Sequence, residues 1–134
     1  MRRACGQALL ELALCAPLVL LLALGTVASV QVASARDGLE AATQAAAEAA
    51  ARAPSAQAAM AAAEARFRDV VAEYPLRSST LAVSVGNFDR GGSVVAVSSG
   101  TIDLAWAALL LLPGHVTLHS LVRLQLESWR SHNA

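Results

Sequence analysis

The residues able to do chemistry are few and scattered. His115 and His119 stand four apart, a spacing that on a helix would turn two imidazoles toward one metal ion. No third ligand is near: His132 lies in a polar tail, and Cys5 and Cys15 are far away in sequence. On a strand the two histidines would share a face but stand too far apart for a single ion. None of the serines sits in a nucleophile elbow, Gly91-Gly92 lacks the pattern of a phosphate loop, and no two carboxylates are paired by local spacing. There is no catalytic constellation, and no metal, cofactor or enzymatic activity is expected. One residue is nevertheless out of place. Glu11 is a lone carboxylate at the mouth of an apolar run that lasts to about Val30, with no further charge until Arg36. A charge costs roughly 2.5–3.5 kcal/mol at the centre of a membrane helix and less toward the interface. Such a residue needs a reason, and Gly6 lies at a fixed distance before it, with Arg2-Arg3 ahead of both.

The element that must position Glu11 is a membrane helix. Leu12 to Val30 carries no charge and is long enough, at about 1.5 Å per residue, to cross a hydrocarbon core. Arg2 and Arg3 precede it, which predicts a cytoplasmic N-terminus and a C-terminal part on the far side. Pro17 removes a backbone donor to the carbonyl of Ala13 and is expected to kink or loosen the helix there. Gly25-Thr26 and Ser29 are small residues of the kind that let helices approach closely in a membrane. A plain secretory signal cut near Ala33-Ser34-Ala35 is the competing reading. The length of the run and the placement of Glu11 inside its front edge speak against it. A lipid anchor on Cys15 is disfavoured because Leu14 is too bulky for the preceding position and most of the apolar run follows it.

From Gln31 to Ala53 the helix is expected to continue, since the stretch is mostly Ala, Glu, Gln and Arg. Val32, Ala35, Leu39, Ala42, Ala46 and Ala49 make one weakly apolar stripe, and Glu48 pairs with Arg52. Unbroken from Gln7 to Ala53, the helix would be about 70 Å long. Ala53-Pro54-Ser55 is a break, with Ser55 as N-cap of a second helix running to about Glu73. Met60, Phe67, Val71 and Tyr74 should form its core face, and Glu64 should pair with Arg68.

From Ser79 the period changes to two. Leu81, Val83 and Val85 mark a strand, and residues 87–92 carry the turn residues of a hairpin. Val94–Val97 is the return strand, which Thr101–Trp106 extends or restarts. The pairs Ser78-Ser79 and Ser98-Ser99 read as polar strand edges. Val116, Leu118, Val122, Leu124 and Leu126 alternate with polar residues as a third strand, although Leu118, Leu121, Val122 and Trp129 would also fit a helical face. The apolar stretch 104–112 is too short for a second span and is bracketed by Asp103 and Pro113-Gly114. It is read as a buried strand plus an apolar loop. If exposed, that loop would be a contact surface for a partner or for lipid headgroups.

Composition bounds the rest. The chain has 134 residues, 56% hydrophobic but only 4% aromatic, so its core is built from Ala, Leu and Val. Its formal net charge is zero, and all the basic residues are arginine, which gives no footprint for nucleic acid. Cys5 precedes the apolar run and Cys15 lies inside it, so the chain after the run has no cysteine with which to form a disulfide.

The run Gly6-Gln7-Ala8-Leu9-Leu10-Glu11-Leu12-Ala13-Leu14, followed by Ala16-Pro17 and a leucine-rich segment, resembles the TadE-like pseudopilins of tight-adherence (Flp) type IV pilus systems. The specific part of the resemblance covers about residues 2–30. It departs from the family at Leu12, where an aromatic residue is common, and at Ala4-Cys5, which interrupt the basic leader. The resemblance implies a leader of residues 1–6, cut by a prepilin peptidase between Gly6 and Gln7. It implies a long N-terminal helix over 7–53 that spans the membrane at about 12–30, and an extracytoplasmic head over 54–134. The expected fold is therefore α+β and pilin-like: a transmembrane helix continuing outward, then a second helix and an antiparallel sheet. The implied partners are membrane lipid, other pilins and pseudopilins, the prepilin peptidase, and an inner-membrane platform with its assembly ATPase. Glu11 would serve assembly by meeting the new α-amino group of a neighbour, an attraction of roughly 4 kcal/mol for unit charges 4 Å apart at an effective dielectric near 20. The alternative is an exported envelope or adhesion protein held by an uncleaved anchor; a secreted enzyme is the third class.

Overall fold

The computed structural model describes the backbone of residues 2–86 and 91–126, with side chains from Cys5 onward. Helix α1 runs without interruption over Arg2–Arg52, 51 residues, with Pro17 inside it. Helix α2 covers Ala56–Val71, and three strands follow: β1 (Ser78–Val85), β2 (Ser93–Asp103) and β3 (His115–Gln125). A short 3-10 helix, η1 (Ala105–Leu110), joins β2 to β3. The sheet is antiparallel in the order β1-β2-β3. The architecture is α+β, as expected, with both helices on one face of the sheet.

The far half of α1 is the spine of the head. Its buried face is mostly alanine, Ala35, Ala42, Ala46 and Ala50 among them, with the larger Leu39 between, and the buried face of α2 opposes it with Ala59, Ala63 and Phe67. Each buried methyl contributes only about 0.8 kcal/mol. Alanine faces therefore stabilise by letting two backbones come close along many turns. Glycine extends the same logic at Gly38, where an added Cβ would fall 2.2 Å from the ring of Tyr74. Ser55 caps α2 through Oγ, which accepts from the Ala58 N–H at 3.2 Å. The expected helix pairs form at the surface, Glu64–Arg68 at 3.2 Å and Glu48–Arg52 at 3.9 Å, joined by Arg36–Glu40 at 3.1 Å.

The strands place Leu81, Val83, Val94, Ile102, Val116 and Leu118 toward the helices. The opposite face is open and rich in hydroxyls. It carries a Thr80–Ser99 hydroxyl pair at 2.7 Å and one apolar row, Ala82, Val97 and Leu121. His115 and His119 lie on β3 and are exposed, His115 opposite Asp103 and His119 opposite Ser99. Four residues on a strand separate them by about 13 Å.

Three expectations need correction, and one open alternative is resolved. Met60 is 54% exposed, because α2 turns its Ala59-Ala63-Phe67 stripe inward and Met60 falls one residue out of phase. Of the two readings of the return strand, extension holds: β2 is one strand of eleven residues that runs straight through Ser98-Ser99. Ser98 is no strand edge: it is buried on the central strand, facing α1. Residues 104–112 contain no buried strand. β2 ends at Asp103, whose Oδ1 accepts from the Ala105 N–H at 3.0 Å and starts a 3-10 turn instead. Hairpin residues 87–90, and Glu127, Trp129 and His132, lie outside the described residues.

Ser98 has a specific partner. Thr43 Oγ1 donates to the Leu39 carbonyl at 2.6 Å and lies 2.5 Å from Ser98 Oγ, with both residues fully buried. This pair ties the spine to the central strand inside an otherwise apolar layer. A buried hydroxyl left unmatched costs about 1–3 kcal/mol, whereas removing both partners can be nearly neutral. Thr43→Val should lower stability by that amount in thermal unfolding of the detergent-solubilised chain, and Thr43→Val with Ser98→Ala should recover most of it.

Candidate functional site

The near half of α1 packs on nothing in the chain. From Cys5 to Ala23 every residue is exposed, and Leu9, Leu12, Leu14 and Leu22 each leave more than 60% of their surface open. An apolar cylinder of this kind cannot remain in water. Among the described residues α1 is the one helix long and apolar enough to cross a membrane. Its hydroxyls are already satisfied within the helix: Thr26 Oγ1 donates to the Leu22 carbonyl and Ser29 Oγ to the Gly25 carbonyl, each at 2.9 Å. That is what a polar side chain in hydrocarbon requires. The helix passes through Pro17 without a break in assignment, although the Ala13 carbonyl has no N–H to accept from there.

Gly6, Gln7 and Glu11 all lie on the first turns of this helix. Gln7 and Glu11 are four residues apart and so share a face one turn apart. Glu11 is exposed and makes no hydrogen bond or ion pair with another described residue. A Cβ built on Gly6 would meet nothing within 4 Å, and its φ is not positive. The fold therefore gives no reason for glycine there, and glycine inside a helix costs about 1 kcal/mol relative to alanine. The backbone of Arg2 and Arg3 opens the same helix. Gly25 and Ser29 line an open groove of the chain itself, together with Ala28, Val32, Leu104, Leu112 and Pro113.

The first residue of this stretch, Gly6, and the last of the spine, Arg52, bound a match to the family described as TadE-like protein, over residues 6–52. Over this stretch the chain is TadE-like. The match begins at Gly6 and ends where α1 ends, so it covers the helix and stops short of α2 and the sheet. No curated protein and no solved structure matches the chain. Residues 6–52 are thus similar to a family of pilus-system proteins, and the one apolar helix among the described residues fits a single membrane pass. The described residues include no group of three His, Cys, Asp or Glu side chains able to hold a metal ion.

Three structural residues in α1 and the head carry no local signal in the sequence. Thr43 was hidden among helix formers, Gly38 carries no mark of the ring it accommodates, and Arg77 pairs with Asp103 at a separation in sequence that no local spacing reveals.

If glycine is kept at position 6 for a peptidase cleft, and not for the fold, then Gly6→Leu should fold and insert normally yet accumulate as uncut precursor, seen as a larger band in membrane fractions. Normal processing of that variant would remove the assignment.

Proposed function

We propose that this TadE-like chain is a minor pseudopilin required for the biogenesis of Flp/Tad-type adhesive pili. A prepilin peptidase cuts it between Gly6 and Gln7, and it enters its assembly through the N-terminal half of α1. The observation that carries the reading is a continuous helix with an unpacked apolar half whose single carboxylate, Glu11, has no described partner and stands one turn from Gln7. Cutting before Gln7 creates a positive α-amino group beside a negative Glu11. In a stack of subunits the amine of an incoming chain meets the carboxylate of a neighbour, and only one axial stagger neutralises both charges. The unbroken apolar surface around them lets neighbouring helices pack side by side when the subunit leaves the lipid.

Arg2 and Arg3 support a cytoplasmic N-terminus, with the head carried outside the cytoplasmic membrane. Pro17 supplies a local weak point at which the helix can bend as it moves from bilayer to assembly. The inner-membrane platform and its ATPase would do the work of extraction. The fold weighs against a secreted enzyme cut near Ala33-Ser34-Ala35. That bond lies inside α1, and Ala35 is fully buried against Ile102 and Leu104, so the cut would remove that packing from the near end of the head. An uncleaved anchor leaves Glu11 and Gly6 without a role.

Glu11→Ala tests the proposal. The variant should insert and be processed like the wild type, because its carboxylate is not at the scissile bond and removing a charge eases insertion. It should then fail to support pili, scored by electron microscopy and surface adherence at wild-type protein levels. Normal piliation would refute the register role.

A further inference from the structure

The segment after β2 folds back along α1 toward the apolar half of the helix. The strands run beside the spine so that Val94 and Leu126 lie with Ala46, Ala50 and Ala53, whereas Ile102 and Leu104 lie with Ala35. The η1 loop is therefore at the end of the head that faces the membrane. It is anchored there by buried Leu104 and Ala107, and its base is closed by the Leu104 N–H donating to the Gly114 carbonyl at 2.9 Å. It covers Ala28, which is 4% exposed, and shares a groove of about 750 Å³ with Gly25, Ala28 and Ser29. Gly25 and Ala28 belong to the charge-free run that ends at Val30. Gly25 precedes Val30 by five residues, about 7.5 Å along the helix.

The outer side of this loop is apolar and unpartnered. Leu109 is 79% exposed, Leu111 97% and Leu112 43%. Leu111 also adopts a left-handed backbone with φ of 58°, a conformation ordinarily given to glycine or asparagine. A glycine there would remove both the strain and the exposed side chain. Keeping a leucine in that conformation makes sense where the side chain leaves water.

We propose that the η1 loop is an interfacial foot, which inserts Leu109, Leu111 and Leu112 into the headgroup–acyl boundary of the same bilayer that α1 crosses, on the side of the head. The depth of Gly25 and Ala28 in the apolar run matches the 5–10 Å over which interfacial apolar groups bury. Half-buried Trp106, on the same turn, is of the type enriched at that boundary. The foot fixes the head upright against the membrane and must leave the lipid when the subunit is extracted. The inference rests on α1 spanning a bilayer and is independent of cleavage and of pilus assembly.

The test uses the full chain, with Cys5→Ser and Cys15→Ser, reconstituted in phosphatidylglycerol–phosphatidylcholine vesicles. Single cysteines at Leu111, Val19 and Ala82 carry an environment-sensitive fluorophore. Lipids bear a nitroxide either high on the acyl chain or near its end, and iodide probes the aqueous side. The Leu111 probe should be quenched more by the shallow nitroxide than by the deep one. It should also be several-fold less sensitive to iodide than the Ala82 probe on the open sheet. Leu109→Asp should abolish most of the shallow quenching; unchanged quenching would mean that the dye, not the loop, seeks the lipid, and would overturn the proposal. A Leu111 probe as open to iodide as Ala82 would overturn it too. So would a probe shielded from iodide but untouched by either nitroxide, which would mean that a second copy or another protein covers the loop. The Val19 probe should respond most to the deep nitroxide; if it does not, the span itself is wrong and the foot falls with it.

Discussion

One constraint governs this molecule: a single helix must serve two solvents. The first half of α1 exposes leucine and valine on every side, a surface fit for lipid, and the second half presents alanine to protein on one stripe. Both halves depend on the helix remaining unbroken from Arg2 to Arg52. The head has no other spine. α2, the central strand and the η1 loop each pack on some part of it. A rigid connection follows, because no flexible linker separates the span from the head. Any tilt of the membrane helix becomes a tilt of the sheet.

Alanine is what makes the shared helix workable. A large apolar stripe on residues 35–53 would have extended the membrane segment and blurred the exit point. Alanine combines strong helix propensity with a modest apolar surface, so the boundary near Val30 stays defined while the backbone of α2 can still approach closely. The cost is a thin core that relies on fit. Tyr74 lies on Gly38, and Leu39 and Leu76 close over Gly100, where an added Cβ would meet Leu76 at 2.9 Å. In a layer of this kind the Thr43–Ser98 pair ties helix to strand, since separating the two would leave the Ser98 hydroxyl buried without its partner.

Much of this was legible in the sequence, and what was not has physical causes. The span, the continuation of the helix, the break at Pro54, the Ser55 cap and the alternation of β1 and β3 all follow from local periodicity and capping. The strand reading of 116–126 held because its period is two, and the competing helical set required Leu121, which the structure places on the open face. Local patterns could not report Ser98, because whether a serine lies on an edge or in a central strand is decided by which strands pair. They misplaced Met60, because size alone does not tell which stripe of an alanine-rich helix turns inward. They misread 104–112, because an apolar run bounded by Asp and Pro-Gly fits a strand or a turn equally well. There the Asp103 side chain accepts from the Ala105 N–H as the chain leaves β2 and turns. At the N-terminus, Gly6 and Glu11 stood out in sequence because they break the rules of an ordinary membrane helix, and in the structure no packing explains either of them.

The central claim is that this membrane helix belongs to a processed pilus subunit and not to a fixed anchor. The mass of the mature chain, isolated from membranes of cells carrying the complete pilus system, tests it most directly. The account predicts a polypeptide that begins at Gln7, with Arg2 and Arg3 absent and Cys15 still present. A mature chain that retains Arg2-Arg3, or one that begins near Arg36, would contradict it.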